Sequence, residues 1–261
     1  MDFSPQAPPT AEAPFSLRGT GPDAVLLIHG FTSGPRSMRP WADALAAAGL
    51  AVSLPLLPGH GTSWHDLAGT PHTAWSRAVL AEFDALQRGH RHVFVAGLSM
   101  GGALALQLAA RRDVAGVVVV NPGLTFADPA AHLAGVLRHV VASVPAIAND
   151  IALPDQDEGA YERTPVAAVH QLAGLFRDTR RALPRITAPV LVYRSRTDHV
   201  VPESSVRALR AGFSRRPVGL PPLTVVTLEA SYHVATLDHD ARRIFDGSIK
   251  FFRTVAGAGR G

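Results

Sequence analysis

Ser99, Asp198 and His233 are the three side chains of this sequence whose types and order suit nucleophilic acyl chemistry. A serine hydroxyl is a weak nucleophile until a neutral imidazole accepts its proton, and a carboxylate must hold that imidazole in the right tautomer. Ser99 stands at the centre of Gly97-Leu98-Ser99-Met100-Gly101, a G-x-S-x-G pattern. The apolar run Val93-Phe94-Val95-Ala96 precedes it, and Ala103 to Ala109, rich in helix formers, follows before Arg111 and Arg112. That context predicts a buried strand, a sharp turn and a helix, with the serine exposed at the apex. The flanking glycines leave out side chains that would collide there. A tight turn that merely tolerates a small residue would read the same, so the companion residues decide between the two.

Asp198 and His233 each follow a late apolar run, Val190 to Tyr193 and Leu223 to Leu228, where side chains can converge on one edge of a sheet. An acyl-transfer oxyanion also needs preorganised donors. The N–H of Met100, at the helix start, is one; the N–H of Phe31, after His29-Gly30, is the second. The side chains of Phe31 and Met100 are expected to line an apolar pocket. The sequence contains twelve histidines. His29 reads as a structural residue beside the oxyanion turn, His60, His65 and His72 lie in an early loop able to approach the site, and His199 should point away from Asp198, or bond locally.

Other chemistries find little support. No cysteine is present, which removes disulfides, thiolate metal sites and a cysteine nucleophile. His90-x-His92 has no third ligand near it and there is no His-Glu-x-x-His, so no metal is expected. Gly30 to Ser37 lacks the Gly-Lys-Ser/Thr ending of a phosphate loop, and no G-x-G-x-x-G follows the first strand; no cofactor is expected. The net charge is +4, but the arginines are spread along the chain, which is not the basic patch with aromatics of a nucleic-acid binder. The proline-rich start is not a signal peptide, and no apolar run nears the ~20 residues of a membrane span. A soluble, cytoplasmic protein is the expectation.

With 261 residues, 47% of them hydrophobic, one large domain is the simplest organisation. Residues 1–22 read as a poorly ordered lead-in and 23–255 as the domain, with 256–261 a frayed tail. Strands are predicted at 24–28, 51–54, 93–96, 117–120, 190–193 and 223–228. Helices are predicted over about 38–48, 73–87, 103–111, 203–210 and 240–253. Short apolar strands alternating with helices give an α/β fold with a mostly parallel sheet covered on both faces. Between about 122 and 181 the rhythm breaks into prolines, an acidic run and apolar helical pieces such as Leu133 to Val141. That stretch reads as a cap inserted over the site, or as a long surface excursion.

The motifs His29-Gly30-Phe31-Thr32-Ser33-Gly34-Pro35-Arg36-Ser37-Met38, Leu57-Pro58-Gly59-His60-Gly61-Thr62 and Gly97-Leu98-Ser99-Met100-Gly101-Gly102 resemble the α/β-hydrolases of the bacterial monoacylglycerol lipase and small carboxylesterase group. So do Ser195-Arg196-Thr197-Asp198-His199-Val200-Val201-Pro202 and Ser231-Tyr232-His233-Val234-Ala235-Thr236-Leu237-Asp238. The chain order serine, acid, histidine is that of this fold. The resemblance implies Ser99 as nucleophile, Asp198 and His233 as its partners, Phe31 and Met100 as oxyanion donors, and a small mobile cap after Asn121. It also implies that Glu158, in Asp157-Glu158-Gly159-Ala160-Tyr161, contacts glycerol hydroxyls; the rival reading is a solvated acidic turn. The implied function is cofactor-free ester hydrolysis through an acyl-enzyme, with a monoacylglycerol as the small-molecule substrate and transient cap contact with a lipid interface. The alternatives are a broad carboxylesterase and, in a different class, a catalytically silent ligand-binding fold.

Overall fold

Strands in the middle of a parallel sheet lose contact with water on both faces, so they appear in sequence as unbroken apolar runs. That is how the strands of this chain read, and a computed structural model describing residues 13–258 places them so. In chain order the first half comprises β1 (Phe15–Leu17), β2 (Asp23–Ile28), α1 (Arg39–Ala47), β3 (Ala51–Leu54), α2 (Trp64–Ala68), α3 (His72–Gln87), β4 (His92–Leu98), α4 (Met100–Ala109) and β5 (Val117–Val120). Then come α5 (Ala134–Leu137), β6 (Ser143–Pro145), β7 (Arg163–Pro165), α6 (Val166–Ala182), β8 (Val190–Ser195), α7 (Glu203–Phe213), β9 (Leu223–Leu228) and α8 (Ala241–Ala258).

The main sheet has seven strands in the order β1-β3-β2-β4-β5-β8-β9. All neighbours run parallel except the edge pair β1 and β3. Alternate residues of each strand feed two separate cores. Leu26, Val95, Val119 and Val192 pack on one face with α3, α4 and α6. Leu27, Phe94, Val120 and Tyr193 pack on the other with α1 and α8. Helix α4 is buried along its whole length, as expected of a helix that is apolar all round.

Three expectations need correction. The 1–22 lead-in is not wholly irregular: Phe15–Leu17 pairs antiparallel with β3, in the register Phe15 to Leu54, and residues 1–12 lie outside the described residues. The tail is shorter than 256–261, because α8 continues through Ala258. Ile244, Ser248, Phe252 and Ala256 recur every fourth residue and bury one stripe, which carries the helix past Arg253; residues 259–261 lie outside the described residues.

The third concerns 122–181, which the structure divides in two. Helix α6 packs Ala168, Leu172, Leu175 and Phe176 into the same core as α4, so it belongs to the helical layer of the sheet. The remainder forms the cap proper, with the antiparallel β6–β7 ribbon. The helix expected over Leu133 to Val141 shrinks to a 3-10 turn at Pro129–Leu133 and the four-residue α5. Pro129, Gly135 and three β-branched valines give little intrinsic helix tendency, and Val136 and Val140 face solvent with no core to compensate.

Candidate active site

The turn between β4 and α4 places Ser99 at the helix start with φ 56° and ψ −115°. This is a left-handed conformation that non-glycine residues adopt at a cost of roughly 1–3 kcal/mol. Its flanking glycines are dictated by contact. A Cβ on Gly97 would lie 2.4 Å from the carbonyl of Gly101, and one on Gly101 would lie 2.1 Å from the carbonyl oxygen of Ile28. The strained turn is thus held between its own helix and the end of β2, and Ser99 remains partly exposed.

Asp198 and His233 follow β8 and β9 as expected, and they meet. His233 Nδ1 lies 3.1 Å from Asp198 Oδ2, with the Asp198 side chain wholly buried. The other carboxylate oxygen accepts the N–H groups of Val200 and Val201 at 3.0 and 2.8 Å. Burial pushes the Asp198 carboxyl upward, but the His233 ring, the Val201 N–H and the Arg194 charge together hold it below its ordinary value. A carboxylate so held can fix the ring as the Nδ1–H tautomer with Nε2 free to take a proton.

Two further residues hold this arrangement: Arg194, which carries no sequence signal, and Asn121, whose only signal is its place at the carboxyl end of a strand. Arg194, four residues before the acid, donates to Asp198 Oδ2 through Nη1 and to the Val201 carbonyl through Nη2. Asn121, at the end of β5 with φ 44°, donates to Ser195 Oγ at 2.9 Å and to the His233 carbonyl at 2.8 Å. It also accepts the Ser195 N–H at 2.9 Å. One buried amide therefore fastens the ends of two strands to the histidine loop.

The turn at Phe31, expected to supply an oxyanion donor, is fixed from three sides. Thr32 has φ 63°, and its hydroxyl donates to the Phe31 carbonyl at 2.6 Å. The Thr32 carbonyl accepts the Tyr161 N–H at 3.0 Å, while Tyr161 Oη donates to the Gly59 carbonyl and accepts the Thr62 N–H, both at 3.0 Å. His29 is wholly buried, as a structural residue should be: Nε2 accepts the Leu57 N–H at 3.0 Å and Nδ1 donates to the Gly30 carbonyl at 2.9 Å. Among the described residues the Phe31 N–H has no backbone partner, and Met100, the first residue of α4, has none within its helix. Both amides are available to an anion. The Met100 side chain, expected in the pocket, is instead wholly buried in the core beneath it, because the first turn of α4 points that position into the protein.

Burial lowers the His29 pKa to about 3, with the neighbouring His60 adding to the effect, and burial lowers His60 to about 4. The unfolded chain takes up these protons near pH 6.5 and the folded chain does not. Stability must therefore fall with falling pH below about 6.5, by about 1.4 kcal/mol per pH unit for each buried ring until its folded pKa is reached. Urea unfolding should show a clearly lower midpoint near pH 5 than near pH 7. Equal midpoints would mean that both rings take up protons inside the fold.

Ser99, His233, Phe31 and Glu158 line one cavity of about 330 Å³, whose remaining wall is largely apolar, including Leu137, Val166, Leu172 and Phe176. Glu158 is not in a solvated turn. It is 8% exposed, with Oε1 accepting the Asn149 N–H at 2.7 Å and its own N–H donating to Asn149 Oδ1 at 2.9 Å. Burial pushes its carboxyl pKa up, against the pull of the Asn149 N–H and of His233. His199 also lines the cavity, its ring bonded to Asp150 and not to Asp198. His65 stacks on Trp64 and His72 pairs with Gln171 and Asp178, so neither reaches the site. Among the described residues no group of three acidic or histidine side chains is arranged to hold a metal. No helix among them is long and apolar enough to cross a membrane.

Known proteins are similar to this chain in sequence and in fold. A thermostable monoacylglycerol lipase of Bacillus sp. (strain H-257) is 41% identical over 238 residues, 91% of this chain and 93% of the lipase. A carboxylesterase of Bacillus subtilis (strain 168) is 26% identical over 93% of this chain and 96% of its own. A solved structure from the metagenome-derived lipolytic enzymes LipS and LipT superposes with a TM-score of 0.88 at 34% identity, covering 94% of this chain and 98% of that one. Residues 25–246 match the alpha/beta hydrolase family, and the chain is a member of that family.

Proposed function

We propose that the protein is a serine ester hydrolase that cleaves monoacylglycerols, releasing fatty acid and glycerol. The observation that carries the hydrolase reading is that the buried Asp198–His233 pair and a serine held in a strained turn meet at one cavity, which Ser99 and His233 both line. In this reaction the Ser99 hydroxyl attacks the ester carbonyl carbon as its proton passes to His233 Nε2. The resulting oxyanion is received by the N–H groups of Phe31 and Met100. Collapse breaks the ester bond, and His233 returns the proton to the departing alkoxide. Water then repeats the sequence on the acyl-enzyme and frees Ser99.

The head-group preference rests on Glu158, a buried carboxyl in the wall of a largely apolar cavity. Its Oε1 is engaged by Asn149, so Oε2 is the acceptor offered to a polyol. The 41% identity to a named monoacylglycerol lipase supports the same reading. A charge-assisted hydrogen bond is typically worth about 1.5–3 kcal/mol, so Glu158→Ala should cost roughly 10–150-fold in kcat/KM on a monoacylglycerol. A p-nitrophenyl ester of the same acyl chain should lose little. Equal losses on both substrates would make Glu158 a support of the cap, and wild-type rates on both would remove it from recognition. Glu158→Gln separates function from stability. A carboxyl whose pKa is raised by folding destabilises the fold increasingly as pH rises through that pKa. Near pH 8 the Gln variant should therefore melt no lower than the wild type while losing rate on the monoacylglycerol. Comparing rates on mono-, di- and triacylglycerols of one chain length tests the substrate class; similar rates on short simple esters and monoacylglycerols would favour a broad carboxylesterase.

The cap also offers a face for the lipid interface from which such a substrate comes. Leu133, Val136, Val140 and Ile147 are each at least 60% exposed, and large exposed apolar groups of this kind can mark interaction sites. Replacing Val136 and Val140 together by Ser should reduce co-sedimentation with phosphatidylcholine vesicles while sparing hydrolysis of dissolved p-nitrophenyl butyrate. Undiminished co-sedimentation would exclude the cap as the contact.

A further inference from the structure

A second carboxylate–histidine pair stands beside the first. Asp150 belongs to the cap, between β6 and β7, and its side chain is only 9% exposed. One of its oxygens, Oδ2, accepts two backbone N–H groups from different loops: that of His199 at 3.1 Å and that of His233 at 3.2 Å. The other, Oδ1, lies 2.7 Å from His199 Nδ1. Its main-chain carbonyl accepts the Val234 N–H at 3.1 Å. Asp150 thus joins the residue after Asp198 to His233 and the residue that follows it.

The strut that carries Asp150 is itself fixed. Asp238, 3% exposed, accepts the N–H groups of Ala152 and Leu153 from the cap at 2.8 and 2.9 Å. It also accepts those of Tyr232 and His239 from the histidine loop, both at 2.8 Å. Asn149, one residue before Asp150, holds Glu158. Residues 149–153 are therefore tied to the histidine loop on one side and to the Glu158 segment on the other.

The structure assigns Asp150 as a positioning residue: a cap side chain that sets the spacing between the acid loop and the histidine loop, and through it the contact of His233 Nδ1 with Asp198. This rests on the triad proposed above. Beyond the strand ends the two loops meet through side chains, namely the 3.1 Å ring-to-carboxylate contact, the exposed Arg196–Glu229 pair and the His199 and Tyr232 rings, which leave their main chains some freedom to shift against each other. A single oxygen bonded to both backbones removes that freedom. It follows that the base of the cap, 149–153, stays in place during turnover, and that any opening of the cap occurs at the exposed segment preceding it.

The test compares Asp150→Ala with Asp150→Asn on p-nitrophenyl butyrate near pH 8, with Ser99→Ala as the inactive reference. Asn keeps an oxygen able to accept both N–H groups, and its amide can donate to a neutral His199 ring. A misplacement of about 1 Å in a catalytic constellation can cost on the order of 10²-fold, so Asp150→Ala should lose kcat on that scale with little change in KM. Asp150→Asn should recover most of it. Wild-type kcat in the Ala variant, or an Asn variant as impaired as Ala, would overturn the assignment even with Ser99→Ala inactive. Activity in Ser99→Ala would instead overturn the triad. Should Asp150→Ala fail to fold, the intact protein still decides: the amide protons of His199 and His233 should both exchange slowly in D2O, and fast exchange at either would contradict the bridge.

Discussion

Ser99→Ala should lower turnover on any ester by up to about 10⁶-fold, the scale on which removing the nucleophile of a triad collapses catalysis to what binding and the oxyanion donors supply. The fold should survive, because Ser99 is partly exposed and the change removes one hydroxyl from the apex of the turn. The backbone strain at φ 56° remains, since Ala lacks the glycine freedom that would relieve it. Unfolding temperature should therefore stay close to that of the wild type while activity disappears. An alanine variant that turns over p-nitrophenyl butyrate at a tenth of the wild-type rate would require a different nucleophile.

Asp198→Asn should lose about 10³–10⁴-fold in kcat, as amide replacement leaves triad geometry standing but presents the wrong donor to the ring. Here the environment sharpens the effect. Oδ1 accepts the Val200 and Val201 N–H groups, so the amide must keep its oxygen there and turn its NH2 toward His233 and the Arg194 guanidinium. A donor would then face two donors in a site where the side chain has no access to water. His233 could meet it only by presenting an unprotonated Nδ1, which leaves Nε2 as the protonated atom and unable to act as base toward Ser99. Near-normal turnover in Asp198→Asn would mean that another carboxylate orients His233, and Asp150 is the one to examine.

What was readable in the sequence follows from how each element is stabilised. The β4 strand and the Ser99 turn were legible because both obey local constraints: burial on two faces demands an apolar run, and the close approach to Ile28 and Gly101 demands glycine. Asp198 and His233 were legible because the strands before them, β8 and β9, were. The β1 strand was missed because an edge strand of three residues next to prolines has neither length nor a double-sided apolar pattern. Helix α6 reads from sequence as part of the cap, since its stripe of Ala168, Leu172, Leu175 and Phe176 shows only that one face is buried, and not against what.

The long-range polar contacts of Asp150 and Asp238 leave no trace in the sequence. Asp150 is separated from His233 by 83 residues, and Asp238 from Leu153 by 85. Nothing in the composition around an aspartate distinguishes one that bonds four amides from one that faces water. Glu158 shows the same limit from the other side. The acidic run at Asp155-Gln156-Asp157-Glu158 suggests solvation, yet its last member is buried while Asp157 is exposed and pairs with Arg36 at 2.9 Å. The positive φ of Asp155 and Gly159 turns the chain on either side, and a turn of that kind sends adjacent side chains in opposite directions.

The most direct measurement is the mass of the protein trapped as an acyl-enzyme. The wild type, mixed with excess p-nitrophenyl butyrate and quenched in acid during steady turnover, should carry one butyryl group, and peptide mapping should place it on the tryptic segment that contains Ser99. The corresponding adduct from a monoacylglycerol should bear that substrate's own acyl chain at the same serine. A single acyl group on any other residue, or rapid hydrolysis with Ser99 unmodified under every quench, would contradict nucleophilic catalysis by Ser99.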